Sequence, residues 1–493
     1  MFHYRTNDRA SRFAGAAERI KRWRLWHQKR KRSHVQIHRS GRPDSRLTSL
    51  LTRAWAGNSE TKGMFSTLSA GKFALLLLLV GFVPPAYGQS ITQDAIVASG
   101  SQVQRLGEPL EKVVGYFTST TLPSIVVGFQ TENSTPGGIY LYTSTSGSIA
   151  GPWQQTAIAS SGDAYEQAVA FTYRGDTYPG VIASFRPAGS STSQIIWYQN
   201  PKNWGLDPTT HPWGVQVINE KSGCHDMRLA DMDGDGKLDV VCSASMTLGT
   251  GSFVAFQNNY DSWKVIYDVA NLGDGVDVIT TAGSNRRHLV GANAADGHIY
   301  WYENPCRRVP FQRRRPCYVS RTAKWAAHKI ASPNTGTAKG NSFTTITIGG
   351  VDGVIAATNE QAGEDISTLG VAWFYPGADP AKPWNTVDLD STYRDVHKIS
   401  TGTWNGGIPY VLATEQEQAC PPATPAGNPP SHQTPCRIAI FQYIDGTWKQ
   451  KVLSQTSTQN QSVIAWGNGL LMADANHGVF EGDRAIHARV IQP

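Results

Sequence analysis

No apolar run in this sequence is long enough to cross a bilayer. The longest, "FALLLLLVGFV" (Phe73 to Val83), has 11 residues, where a spanning helix takes about 20. A helical 3.6-residue period persists nowhere, which argues against bundles and coiled coils. Beyond residue 88 a basic surplus is missing as well. The formal net charge is +7, yet residues 1–63 hold 16 of the 45 Lys and Arg and only 4 of the 38 Asp and Glu. From Gln89 onward 28 basic residues face 34 acidic ones. The body is therefore acidic, and a nucleic-acid partner is excluded for it.

The boundary between the two regions reads as a processing signal. Met64, Lys72, the short apolar run, and Ala86 and Gly88 before Gln89 have the layout of a secretory signal peptide. Residues 64–88 are then the signal, and residues 1–63 an over-called, disordered extension. A basic cytoplasmic tail on a membrane anchor is the alternative. The mature domain is expected to be residues 89–493, secreted and extracellular, monomeric, and free of the membrane after cleavage. In that setting the six cysteines read as disulfides. Neighbours in sequence suggest Cys224–Cys242, Cys306–Cys317 and Cys420–Cys436, although six cysteines allow 15 connectivities. Asn133-Ser-Thr and Asn460-Gln-Ser are glycosylation sequons.

What the body does contain is a weak repeat. A Trp followed by alternating apolar residues recurs at Trp153, Trp213, Trp263, Trp325, Trp384 and Trp448, at intervals of 50 to 64 residues. A loop earlier stands an aromatic strand such as "IIWYQNP", "IYWYENP" or "VAWFYPG". Two more apolar runs complete each unit, and 48 Gly and 27 Pro punctuate the chain. Six Trp-marked units and one N-terminal unit, each of about four strands, predict an all-β, seven-bladed β-propeller. An array of two-sheet sandwiches is the alternative. No spare strand follows the last unit, so "AIVASG" (Ala95 to Gly100) is expected to pair with it and close the ring.

One unit carries "HDMRLADMDGDGKLDVVC" (His225 to Cys242). Its Asp ladder, its leading His-Asp and the later "WYENP" resemble the FG-GAP/VCBS-repeat propellers. The strict motif covers about 20 residues of one unit. Calcium takes six to eight oxygens. Asp231, Asp233, Asp235 and Asp239, with the Lys237 carbonyl, can supply them if Gly234 and Gly236 let the chain curl. A polar Asp-Gly turn is the plainer reading. The loop joins the first and second strands of its unit, away from the expected pocket, so the ion is read as a structural brace.

Chemistry is expected where equivalent positions converge. Aligning the first strands places Glu111, Glu166, Asp226, Asp277, Phe343, His397 and Ser462 around one axis, with Tyr165 and His225 beside them. Loops after the second strands bring Glu132, Arg186, Asn293, Asn359, Glu360, Glu415, Glu417, Asn476 and His477 to the same end. Each has a plainer reading: a capped strand for His225, a structural ion pair with Glu166 for Arg186, a rim aromatic for Tyr165, a satisfied histidine for His397. The carboxylates can instead hold a second cation on the axis.

The resemblance implies more. Similar propellers include secreted rhamnosyl-glucuronate lyases, which remove a capping rhamnose from plant-type polysaccharides by β-elimination. On that pattern Arg186 neutralises the uronate carboxylate, His225 or His397 takes the C5 proton, and Tyr165 or the other His protonates O4. Glu166, Asp226, Asp277, Glu415 and His477 would bind the acidic polysaccharide or oligosaccharide. Inverting hydrolysis by Glu166 with Asp277 or Glu415, and a non-catalytic, lectin-like propeller, stay open.

Overall fold

A computed structural model gathers residues 84–493 into one compact unit. It describes residues 90–492 apart from 99–105, 107, 132–136, 161, 244–251, 258–261, 268–271, 281–285, 294–297, 307–324, 332–341, 358–369, 394–395, 405–406, 416–435, 457–458, 461–469 and 478–485. The extension, the signal segment and the Asn133 sequon lie outside the described residues.

The described residues form antiparallel strands with one short 3-10 turn, Pro201–Trp204. They make seven four-stranded sheets. Sheets I to VI each take four consecutive strands, beginning at Glu108–Gly115, Gly162–Phe171, Met227–Ala230, Leu272–Thr280, Ser342–Ile348 and Val396–Trp404. Sheet VII is assembled from both ends of the chain. Gln459–Asn460, Leu470–His477 and Ile486–Gln492 are joined by Ser90–Ala98, which pairs antiparallel with Ile486–Gln492. Ala95 stands opposite Ala488 and Ala98 opposite Ile486, the partnership expected of "AIVASG". First strands of sheets I to VI adjoin in chain order, and Leu470–His477 returns to Glu108–Gly115.

Five of the six Trp residues open or immediately precede the fourth strand of their sheet, and Trp448 is the second residue of its own, Thr447–Thr456. Trp153 and Trp263 begin Trp153–Ser160 and Trp263–Tyr267, and Trp213 directly precedes Gly214–Asn219. The indole then reaches back over the hairpin. Trp153, Trp213 and Trp384 donate to the carbonyls of Ile149, Pro208 and Pro380 at 3.0–3.2 Å. In these three the ring covers apolar surface while its N–H caps a turn; the buried Trp325 and Trp448 indole nitrogens have no hydrogen-bond partner among the described residues.

Apolar residues fill the seams between sheets. Phe117, Val126, Leu141, Ala183 and Tyr198 pack between I and II, and Ile182, Trp197, Val240 and Phe253 between II and III. Val97, Val114, Ile125 and Ile486 pack between VII and I. Second strands are covered on both faces, so Ser124–Gln130 and Gly180–Pro187 are almost continuously buried. Outer strands such as Gly214–Asn219 alternate with solvent. Each fully buried large apolar side chain contributes about 1.5–3 kcal/mol.

The aromatic motif ends in an Asn-Pro pair that staples sheets together. Asn200 donates to the carbonyls of Phe117 in sheet I and Pro179 in its own sheet, both at 2.9 Å. Asn304 repeats this one seam pair later, reaching Met232 of sheet III at 2.8 Å and Arg287 at 3.0 Å. Buried amides placed this way satisfy loop carbonyls that no strand reaches.

Candidate functional site

The first strands are broken by β-bulges at one end. Register slips between Pro109 and Lys112, Ala164 and Ala168, Leu272 and Val276, and Val396 and Ile399. A bulge leaves an amide without a ladder partner and re-aims the side chains beside it. Glu111, Tyr165, Glu166 and His397 occupy bulge positions. The backbone at Tyr165, Glu166, His397 and His477 lies in strands; their side chains fall outside the described structure. Residues Glu132, Asn359, Glu360, Glu417 and Ser462 also lie outside it.

The amides freed by the bulges are taken up by the neighbouring sheet. Val276 N donates to Asp226 Oδ2 at 3.1 Å, crossing from sheet IV to sheet III. Ile399 N donates to Ser342 Oγ at 3.1 Å, from VI to V. The bonds from Cys224 N to Ser184 Oγ at 3.0 Å and from Thr345 N to Asp277 Oδ2 at 2.6 Å likewise run from a sheet to the one before it, whereas that from Thr131 N to Asp163 Oδ1 at 2.6 Å runs the other way, from I to II. Polar residues stand on these inner strands partly because the seams need acceptors.

Asp226 and Asp277 are both buried and share a guanidinium that residue-type reasoning passed over. Arg228 donates to Asp226 Oδ1 at 2.6 Å and to the Phe343 carbonyl at 2.9 Å, and its Nε lies 3.3 Å from Asp277 Oδ1. It thus links sheets III, IV and V. Burial pushes the Asp277 carboxyl up, against the pull of Arg228 and of the Val278 and Thr345 amides. The signal was present in the sequence: Asp226 and Arg228 are two apart, where the strand Met227–Ala230 begins. The charge shared by Asp226 and Asp277 is the Arg228 guanidinium.

Arg186 lies at the end of Gly180–Pro187. Among the described residues it pairs with Asp163, directly opposite in register; the side chain of Glu166, the expected partner, lies outside the described structure. Arg186 Nε donates to Asp163 Oδ2 at 2.9 Å, and Nη2 donates to the same oxygen. Burial would raise Asp163, but the Thr131 amide and hydroxyl and the Arg186 guanidinium hold it below the usual carboxylate range. About a third of the Arg186 side chain remains exposed. Two residues back, Ser184 receives the Cys224 amide, so Arg186 and the half-buried His225 flank one seam. The Cys224–Cys242 disulfide fastens that corner. Cys306 is also disulfide-bonded; Cys317 and Cys420 lie outside the described residues.

Glu415 is committed elsewhere. Arg437 grips it with Nε to Oε2 at 2.9 Å and Nη2 to Oε1 at 2.6 Å, and stacks 4.2 Å from the Tyr393 ring centroid. Asn293, at the end of its strand, donates to Tyr302 Oη at 3.2 Å.

At the opposite end of the strands, the loop between Met227–Ala230 and Asp239–Cys242 gathers Asp231, Asp233 and Asp239, whose carboxylate oxygens lie within 4.8 Å of one another. Gly234 and Gly236 adopt φ of 76° and 83°, the curl that an L-residue resists. Asp231 accepts the amides of Gly234, Asp235 and Gly236 at 2.7–3.0 Å. Asp235 turns to Lys237 Nζ at 2.5 Å. Burial, with the charges of its neighbours, lifts Asp233 to about 6 and Asp239 to about 8. Three crowded carboxylates suit a hard divalent cation; the Lys237 ammonium already serves the fourth.

No protein-family model matches the chain, and no curated protein is significantly similar to it. Among solved structures it is similar to a Trypanosoma rangeli sialidase (10% identity, TM-score 0.35). The match covers 82% of this chain and 59% of that one, so the chain spans well under two thirds of that protein. It is also similar to a thermostable family-43 glycoside hydrolase (9% identity, TM-score 0.32, 75% and 97% covered). A third is the polysaccharide lyase Uly1 (10% identity, TM-score 0.30, 82% and 99% covered). Likeness of this degree fixes neither family nor substrate.

Proposed function

We propose that the seven sheets are the blades of a seven-bladed β-propeller and that the chain is a secreted polysaccharide lyase acting at a glucuronate. The observation that carries this reading is the II–III seam, where a carboxylate-anchored Arg186 and His225 flank one hydrogen bond at the strand-start end. Arg186, oriented by Asp163 and partly exposed, receives the uronate carboxylate and so acidifies the C5 proton. His225 takes that proton. Tyr165 or His397, on the first-strand bulges of sheets II and VI, returns a proton to the departing O4. Breaking the C5–H and C4–O bonds leaves a C4–C5 double bond, and the electron balance needs no oxidant. Inverting hydrolysis is disfavoured because Asp277 and Glu415 are already held by Arg228 and Arg437. We further propose calcium at Asp231, Asp233 and Asp239 as a brace of the loop, away from the chemistry, and FG-GAP/VCBS ancestry for that blade.

The test uses purified full chain on rhamnose-capped glucuronate glycans and a wider uronate panel. Growth of the ultraviolet absorbance of an unsaturated uronate is expected. No change across the panel, with binding to the same glycans retained, would replace the lyase by a lectin-like propeller.

A further inference from the structure

A groove of about 610 Å³ lies between sheets I and II, at the end of the strands remote from His225 and Arg186. That volume is within the usual range for small-ligand sites, roughly 300–1,000 Å³. Sheet I contributes Thr118, Thr145 and the exposed Gln154; the 3-10 turn and following loop of sheet II contribute Lys202, Leu206 and Asp207.

The groove is preformed. Asn203 Oδ1 accepts the amides of Thr177 and Tyr178 at 3.1 and 3.0 Å, and its Nδ2 donates to the Tyr178 carbonyl at 2.8 Å. Gly205 closes the turn at φ 75°, and Leu206 N donates to the Pro201 carbonyl at 3.2 Å. The held loop keeps Leu206 40% exposed, with Trp204 38% exposed beside it in the chain. Apolar surface is thus presented rather than buried, next to a hydroxyl- and amide-rich wall.

The charges in the groove offset each other. The Thr209 amide and hydroxyl, with Lys202 near, hold the Asp207 carboxyl below its ordinary value. Lys202 Nζ lies 5.7 Å from the Tyr178 ring centroid.

We propose that this groove is a binding subsite for a neutral, hydroxyl-rich oligosaccharide, separate from the strand-start site. A pyranose has an apolar C–H face and a hydroxyl rim, and the groove offers Leu206 to the first and Gln154, Thr145 and Lys202 to the second. The lack of net charge in the lining selects against uronates. The proposal does not depend on the lyase reading, since it concerns a different end of the sheets and predicts binding without turnover.

The test is titration of the full chain with xylohexaose, cellohexaose, maltohexaose and trigalacturonate, followed calorimetrically to about 10 mM, above the millimolar Kd expected of one small polar subsite. At least one neutral hexaose should bind, and its affinity should fall by about tenfold or more in both Gln154→Ala/Lys202→Ala and Leu206→Asp. Uronate unsaturation, measured in parallel, should be the same in both variants as in the parent chain. No neutral hexaose bound, trigalacturonate preferred, or binding unchanged in whichever variant stays folded would each overturn the proposal. Loss of uronate turnover in the parent chain alone would count against the lyase and leave the groove's binding to be judged by its own titration.

Discussion

Arg228 concentrates the consequences of a single side chain. It balances two buried carboxylates and caps a carbonyl of a third sheet. Removing one member of a buried ionic group costs about 3–5 kcal/mol, because the charges left behind are unpaired. Arg228→Met should lose stability of that order in a denaturant titration, and Arg228→Met/Asp226→Asn/Asp277→Asn should recover part of it. A triple variant no better than the single one would mean that the carboxylates do not rely on Arg228. Asp163 gives a pH-dependent counterpart. Its folded pKa is depressed, so its contribution is present above the unfolded value near 3.8 and is lost as pH falls through the lower folded value. Asp163→Asn should reduce stability at pH 7 by about 1–3 kcal/mol. The gap from the parent chain should narrow in melting curves taken below pH 3.8. A gap constant across that range would show that ionisation of Asp163 is immaterial.

Among elements, the acidic loop was the most legible in the sequence, because alternating Asp and Gly encode a tight curl of carboxylates by spacing alone. Its fastening was not legible. Asn304 reaches Met232 from a position 72 residues away, and only the three-dimensional seam makes them neighbours. The bulges were hidden for a related reason: they follow from register between strands, which composition does not record. This is why Asp163, three residues before Glu166 and on the far side of a bulge, does not stand out in the sequence as a partner for Arg186. If the loop holds calcium, added Ca²⁺ should raise the melting temperature of the full chain and a chelator should reverse it. Asp233→Asn should remove most of that response. An equal response in the variant would place the ion elsewhere.

For the whole molecule, the repeat of Trp and aromatic strands was readable because each unit solves the same packing problem. Closure was readable as a strand lacking a partner at each end of the chain. Ser90–Ala98 now supplies the outer neighbour of Ile486–Gln492. Without it that strand is an open edge, prone to pairing with other chains. Ala95→Pro takes the N–H from a residue that stands opposite Ala488 and fixes its φ; it should cost about 1–3 kcal/mol, with concentration-dependent aggregation in light scattering. Unchanged melting and scattering would mean the ring holds without this strand. Which end of the sheets carries the proposed site was only partly readable. Polar first-strand positions stitch the seams, and residue type alone does not separate that role from a place in the proposed site.

The central claim is that His225 and Arg186 at the II–III seam perform an elimination on a uronate. Its most direct test is the initial rate of unsaturated-uronate formation by the full chain beside His225→Ala and Arg186→Ala, with melting curves for all three. The expected result is turnover by the parent chain and a fall of at least about a hundredfold in each variant, with His225→Ala still melting close to the parent. Full activity in His225→Ala, or none in the parent on any uronate glycan, would contradict the claim.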